Sequence, residues 1–328
     1  MAKVLFSIER NHPALGLSPH HYCMVGALAA LGGEHLFYYY DVAANGLDTL
    51  DLKAHGIDLV VATALLQLGD KNVPPTIYGD IVKRGVPVIM CWGESAPDVV
   101  AWADRYAPHV TANVFFDTAE HWRQFTKYPE KCRWLPEPKD SRVFNNQAVV
   151  NRDVPVSFVG SVLGRWDRAF NLAVCWANNI GVVGLGGLDC AVGSMEQYAA
   201  YLRQSQITLN FTSAITFQHI NARTSEATLC GALLMESESK ETERLLEPFV
   251  HYVPFKENFH IDEATGQLIM QQGDLVDKLR YYMGPGQAEA RRIAEAGQKR
   301  AVELFDGRKF WGEMFRLAGI DFGKLGTV

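Results

Sequence analysis

No stretch of this 328-residue chain approaches the ~18 consecutive apolar residues that span a bilayer, so no transmembrane helix is expected. The first residues, MAKVLFSIE, run straight into a strand pattern and lack the charged, apolar and small-residue regions of a secretory signal; a cytoplasmic protein is predicted. Cysteine is sparse and unpaired: Cys23, Cys91, Cys132, Cys175, Cys190 and Cys230 stand apart, with no Cys-x-x-Cys. That argues against a disulfide framework and reads as reduced thiols in a core. Basic runs are missing too. Thirty-one Lys and Arg against 37 Asp and Glu leave a net charge of −6, so no nucleic-acid partner is expected. His, Cys and acidic residues show no metal-ligand spacing, and neither a Gly-x-Ser-x-Gly elbow nor a P-loop occurs.

What is present is an ordinary globular composition, 48% hydrophobic and 21% charged, in a chain long enough for about two domains at one per ~150 residues. Short apolar runs alternate with helical patterns. In the first half, strands are expected at 3–8, 34–41, 58–63, 86–92 and 111–117, with helices at 20–32, 76–85, 96–106 and 118–128. Continuous apolar strands separated by helices specify a parallel sheet covered on both faces. A stretch rich in Pro, Asn and charge, 133–155, reads as an interdomain linker. The pattern then restarts, with strands at 156–161, 181–186, 207–212, 232–236 and 251–255, helices at 165–178, 194–204, 222–230, 241–247, 273–283 and 286–305, and a closing amphipathic segment at 309–320. The expected organisation is α/β: two tandem Rossmann-like domains, 1–148 and 149–308, facing across a cleft. A C-terminal helix and tail, 309–328, would pack back on the first domain. Ligands of such sheets bind at the carboxyl ends of the strands.

Five stretches carry candidate chemistry. FVGSVLGRWDR (158–168) ends a strand at Gly160-Ser161 and opens a helix with Arg165 and Arg168. Glycine admits close backbone approach, a helix start offers free N–H groups and arginine supplies paired donors, which together suit a diphosphate; a tight turn with solvated arginines is the simpler alternative. GVVGLGGLD (181–189) has two glycines of a dinucleotide fingerprint, but Asp189 stands where the third belongs. In INARTSEATLCGALLMES (220–237), Arg223 and Glu226 share a helix face, Asn221 could cap the helix and Gly231 ends it. A carboxylate there suits a ribose diol and an arginine a phosphate; a mutual surface ion pair fits the spacing equally well. In the first half, Glu94 follows a strand, and His12, His20 and His21 crowd the loop after the first strand, where a histidine serves as a general base or simply as a solvated side chain.

Taken in order, VIMCWGESAPDV, HVTANVFFDTAEHWRQF, RWLPEPKDSRVF, VSFVGSVLGRWDR and YLRQSQITLNFTS followed by RTSEATLCGALLMES resemble the GT-B glycosyltransferases, in particular the branch similar to the spore-maturation protein CgeB. The resemblance implies transfer of a sugar, of the hexosyltransferase type, from a nucleoside diphosphate sugar, a UDP-sugar favoured, to an acceptor hydroxyl. No cofactor and no bound metal are expected, the second domain would hold the donor, and the acceptor could be a glycan, lipid, small molecule or protein. A homodimer is left open. By the same resemblance Glu226 would hold the ribose hydroxyls and Arg223 the donor phosphates. Gly160 and Ser161 would approach the diphosphate, supported by Arg165 or Arg168. Related enzymes often carry a second glutamate eight positions before the first; here that position is Gln218. Should the transfer invert, Glu94, His20 and His12 are the candidate bases. The competing readings are a sugar-nucleotide epimerase or other two-domain α/β enzyme, and a catalytically silent nucleotide-sugar-binding protein.

Overall fold

A computed structural model describes residues 2–9, 19–40, 46–64, 69, 72–93, 96–116, 119–147, 151–162, 165–185, 194–212, 220–262, 265 and 267–324. The chain divides into two compact units, Met1–Ser141 with Phe305–Val328, and Arg142–Leu304. The first boundary therefore falls at 141/142 rather than 148/149, and the return to unit 1 begins four residues before 309.

Unit 1 runs β1 (Lys3–Ile8), α1 (Pro19–Ala30), β2 (Glu34–Tyr39), β3 (Leu59–Ala62), α2 (Pro75–Lys83), β4 (Val88–Trp92), α3 (Pro97–Tyr106), β5 (Ala112–Phe115), α4 (Ala119–Phe125) and β6 (Cys132–Trp134). Its sheet is parallel in the order β2-β1-β3-β4-β5-β6. The period of two along a strand sends alternate residues to opposite faces. Leu5, Val60, Val88 and Met90 meet Tyr78, Ile81, Val100 and Tyr106 on one side. Val4, Phe6, Val61 and Ile89 meet Met24, Leu28, Trp311 and Phe315 on the other. Strand β6 runs into the start of the stretch read as linker. Its three residues have no periodicity to display, and only pairing with β5 makes them a strand.

Unit 2 contains β7 (Val154–Val159), α5 (Trp166–Ala177), β8 (Val183–Leu185), α6 (Met195–Gln204), β9 (Ser205–Asn210), α7 (Ala222–Leu229), β10 (Leu233–Ser237), α8 (Lys240–Glu243), β11 (Val253–Phe255), β12 (Phe259–Ile261), β13 (Leu268–Met270), α9 (Leu275–Met283) and α10 (Gln287–Leu304). The parallel sheet has the order β11-β10-β9-β7-β8, and β12 pairs with β13 as a separate antiparallel hairpin that the apolar pattern did not announce. One face is apolar, with Val156, Phe158, Ile207, Leu209, Leu233 and Met235 packed on Leu172, Leu279 and Ile293. The alternating set includes Ser157, Thr208, Asn210 and Glu236, all buried. The helix expected at 241–247 shortens to the single turn of α8.

The final helix, α11 (Gly307–Ala318), belongs to unit 1. Buried Phe310, Trp311, Met314 and Phe315 form its inner stripe, and the Trp311 indole donates to the carbonyl of Met24 at 3.2 Å. A side chain at Gly307 would collide with Ala27, so glycine is what lets the helix start lie on α1.

Candidate active site

Strands β7 and β9 are neighbours although β8 comes between them in sequence, so the chain reverses its direction of travel across the unit 2 sheet there. Such a switch point leaves a crevice beyond the carboxyl ends of the two strands. Gly160 follows β7, Asn210 ends β9, and Arg223 on the first turn of α7 reaches both. The Arg223 Nη1 donates to Asn210 Oδ1 at 2.6 Å, and its Nη2 occupies the space that any side chain at Gly160 would need. With φ +151°, Gly160 also holds a backbone conformation that other residues rarely adopt.

A second arginine converges on the same place. Arg168, on the first turn of α5, is buried and donates to the carbonyl of Ser161 at 2.9 Å. Its guanidinium lies 5.9 Å from the Phe158 ring centre, and that of Arg223 lies 5.0 Å from the same centre. Two cations share one aromatic ring, which offsets part of their repulsion. Burial first, then the charges of Arg223 and Arg165, bring the Arg168 guanidinium down to about 10. The Nε atoms of both Arg168 and Arg223 are buried and donate to no acceptor among the described residues. Positive charge is thus concentrated with hydrogen-bonding capacity unused, which is what an anion site requires. Arg165 differs, because it forms a bidentate pair with Asp167 at 3.0 and 2.8 Å.

Glu226 does not pair with Arg223, despite the shared helix face. It is 2% exposed and accepts from the Tyr198 hydroxyl at 2.6 Å. Burial, then the Glu226 charge, raises the Tyr198 hydroxyl far above its ordinary range, so Tyr198 remains a donor. Asn221 occupies the N-cap position of α7 without capping it; its amide donates to the carbonyl of Phe211 at 3.2 Å. Gly231, at φ +72°, lies just beyond the Cys230 cap.

In unit 1, His20 near the start of α1 stacks on Phe116 just past β5, and its Nε2 lies toward Gly93 just past β4. Its Nδ1 makes an ion-pair contact with Glu137 Oε1 at 2.9 Å. Glu137 Oε2 lies 3.1 Å from Lys139 Nζ, whose side chain is wholly buried. Burial alone would push the Glu137 carboxyl up; the charges of His20 and Lys139 outweigh it and hold the carboxyl at about 2. His21 is buried, and that burial, aided by the His20 charge, lowers it to about 3 and keeps it neutral. At the β1/β3 switch point of this sheet, buried Glu9 accepts from Tyr40 at 3.1 Å and Thr63 at 3.2 Å.

The structure therefore gathers Gly160, Ser161, Arg168 and Arg223 at the β7/β9 switch point and sets Glu226 one turn along α7. His20 sits at the carboxyl edge of the other sheet. Glu94, His12 and Gln218 lie outside the described residues. Asn210, Tyr198, Glu236, Glu9 and Glu137 were not singled out from sequence. Glu9 and Asn210 had a readable signal, since each sits at or just past the carboxyl end of an apolar strand; Tyr198 and Glu137 meet their partners only through long-range contacts. Among the described residues no group of three or more His, Cys, Asp or Glu is placed to hold a metal ion, and no helix is long and apolar enough to cross a membrane.

A family model described as glycosyl transferase-like matches residues 144–312. No curated protein sequence matches the chain significantly. Among solved structures, Alr3699/HepE of Anabaena in complex with UDP-glucose is similar over 97% of this chain and 100% of its own, with TM-score 0.61 and 13% identity. Sucrose-phosphate synthase from Thermosynechococcus elongatus is similar over 96% of this chain and 98% of its own, with TM-score 0.62 and 12% identity. A glycosyltransferase from Rickettsia africae aligns over 96% and 98%, with TM-score 0.58 and 9% identity. At these identities the likeness shows the fold, two Rossmann-like domains of the GT-B type.

Proposed function

Because the chain belongs to the glycosyl transferase-like family, we propose that it transfers a sugar from a nucleoside diphosphate sugar to an acceptor hydroxyl, unit 2 holding the donor and unit 1 the acceptor. The observation that carries this reading is the pair of arginines, buried Arg168 and half-buried Arg223, set around Phe158 at the β7/β9 switch point with buried Nε atoms that find no acceptor among the described residues. A diphosphate supplies the missing acceptors. Arg223 and Arg168 bind its oxygens, Gly160 lets them approach the backbone, and the start of α5 adds its dipole. Glu226, held by Tyr198, takes the ribose hydroxyls. UDP is the favoured nucleotide; UDP and UDP-glucose complexes of a similar fold support it. The CgeB-like branch and a hexose as the transferred sugar belong to the same proposal.

In the transfer the acceptor oxygen bonds to the anomeric carbon as the carbon–oxygen bond to the diphosphate breaks. The electron pair leaves with the nucleoside diphosphate, whose growing negative charge meets Arg168 and Arg223. Those arginines interact more strongly with the leaving group than with the intact donor, which is how they lower the barrier. If the anomeric centre inverts, the acceptor proton goes to a base in unit 1. His20 is suited to this, because Glu137 faces Nδ1 and leaves Nε2 directed toward Gly93.

The test is thermal stabilisation by UDP-, GDP- and dTDP-sugars compared with NAD(H), followed by assay for release of free nucleotide. A nucleotide-sugar should stabilise the protein, and Glu226→Ala should remove most of that shift. Stabilisation by NAD(H) alone would overturn the proposal, and an undiminished shift in Glu226→Ala would refute the ribose assignment.

A further inference from the structure

Glu236, near the end of β10, is completely buried. Its Oε2 accepts from Asn210 Nδ2 at 2.7 Å and from Thr224 Oγ1 at 2.7 Å, and its Oε1 accepts from Thr242. No lysine or arginine makes a salt bridge to it among the described residues. Burial raises its carboxyl above the ordinary range even though these hydrogen bonds and the Arg223 charge pull it down. A buried acid is expensive, and an apolar residue of similar volume would often be more stabilising.

Its connection explains its presence. A guanidinium only donates, so Asn210 must present Oδ1 to Arg223 and therefore turns its amide nitrogen to Glu236. That nitrogen finds two acceptors, Glu236 Oε2 at 2.7 Å and Thr224 Oγ1 at 3.1 Å, and the Thr224 hydroxyl donates its own proton to the same Glu236 oxygen. Thr224, the residue after Arg223 on α7, binds the same carboxylate oxygen and ties the helix start into the same line. Glu236, Asn210 and Arg223 form a directional relay in which each bond polarises the next.

We propose that Glu236 is the positioning residue for the phosphate-binding arginine: a counter-charge held one amide away, which orients Arg223 toward Gly160 without neutralising it. A carboxylate in direct contact, as Asp167 is with Arg165, would compete with phosphate; one acting through Asn210 fixes the guanidinium and leaves its free edge for the ligand. The inference rests on the donor reading above and sharpens it, because Glu236 then acts on affinity for the diphosphate and not for the nucleoside.

The experiment is calorimetric titration of wild type, Glu236→Gln and Asn210→Ala with whichever of UDP, GDP or dTDP the wild type binds, and with the matching nucleoside. Glutamine keeps the shape and removes the charge; alanine at 210 cuts the relay while Glu236 keeps Thr224 and Thr242. Each variant should lose about tenfold in nucleoside diphosphate affinity with the nucleoside affinity unchanged. An unchanged ratio of the two affinities in either folded variant overturns the proposal while leaving the donor site standing. Equal losses for diphosphate and nucleoside assign Glu236 a structural role and overturn it as well. Failure of the wild type to bind any of the three diphosphates sinks the donor reading and this inference together.

Discussion

Each unit buries a glutamate near the carboxyl edge of its sheet, and the two are satisfied in opposite ways. Glu137 in unit 1 faces charge, with Lys139 on one oxygen and His20 on the other, and its carboxyl is held at about 2. Glu236 in unit 2 accepts, among the described residues, from hydroxyls and an amide, and its carboxyl is raised. A salt bridge spends a charge locally. A neutral hydrogen-bond shell retains it, so that its field acts on the next group along. The first arrangement holds a histidine beside a charge pair; in the reading proposed above, the second prepares Arg223 for an anion.

The largest effect should come from breaking the unit 1 pair. Glu137→Gln removes the carboxylate that faces a buried lysine, so a destabilisation of about 3–5 kcal/mol is expected in denaturant titration. Glu236→Gln keeps its hydroxyl partners and should lose no more than about 1 kcal/mol. Equal losses would erase the contrast between the two glutamates.

Their pH dependences should also run in opposite directions. A depressed carboxyl contributes stability that is present above its unfolded value of 4.5 and is lost as pH falls through about 2; for Glu137 that shift corresponds to about 3 kcal/mol. A raised carboxyl contributes stability that is present below 4.5 and is lost as pH rises through its folded value, which is the expectation for Glu236. The stability difference between wild type and Glu137→Gln should therefore shrink between pH 4.5 and 2. A constant difference would show that Lys139 and His20 do not hold the carboxylate.

Two substitutions at the arginine pair probe smaller effects. Gly160→Ala places a side chain on Arg223 and forces an unfavourable φ, for a loss of about 1–3 kcal/mol together with nucleotide affinity. Arg168→Met removes a buried cation that two neighbours repel, so the ligand-free melting temperature should change little, by less than about 1 kcal/mol equivalent, while nucleotide affinity drops. A large loss of stability in the ligand-free protein would mean that Arg168 serves the fold rather than an anion.

The strands were legible because an apolar run buried on both faces leaves a continuous signature. Lys3–Ile8 was read to the residue, and the helix predicted at 222–230 ends one residue earlier. Strand β6 and the β12–β13 hairpin were not legible, since three residues give no period. Of the site, Arg223 and Glu226 were visible as a spacing, and that spacing was equally consistent with a mutual ion pair. Their true partners, Asn210 thirteen positions earlier and Tyr198 twenty-eight positions earlier, follow no local rule.

By itself the sequence determined two parallel α/β sheets, because hydrophobic periodicity is a local property of strands and helices. It also determined that a glycine turn with nearby arginines follows the first strand of the second sheet. Only the tertiary structure decided that Arg168 and Arg223 share the Phe158 ring, that Glu137 is charge-paired and Glu236 is not, and that α11 returns to the first unit. The reason is physical: the field on a buried charge depends on which distant side chains close around it, and sheet order, not sequence order, decides that.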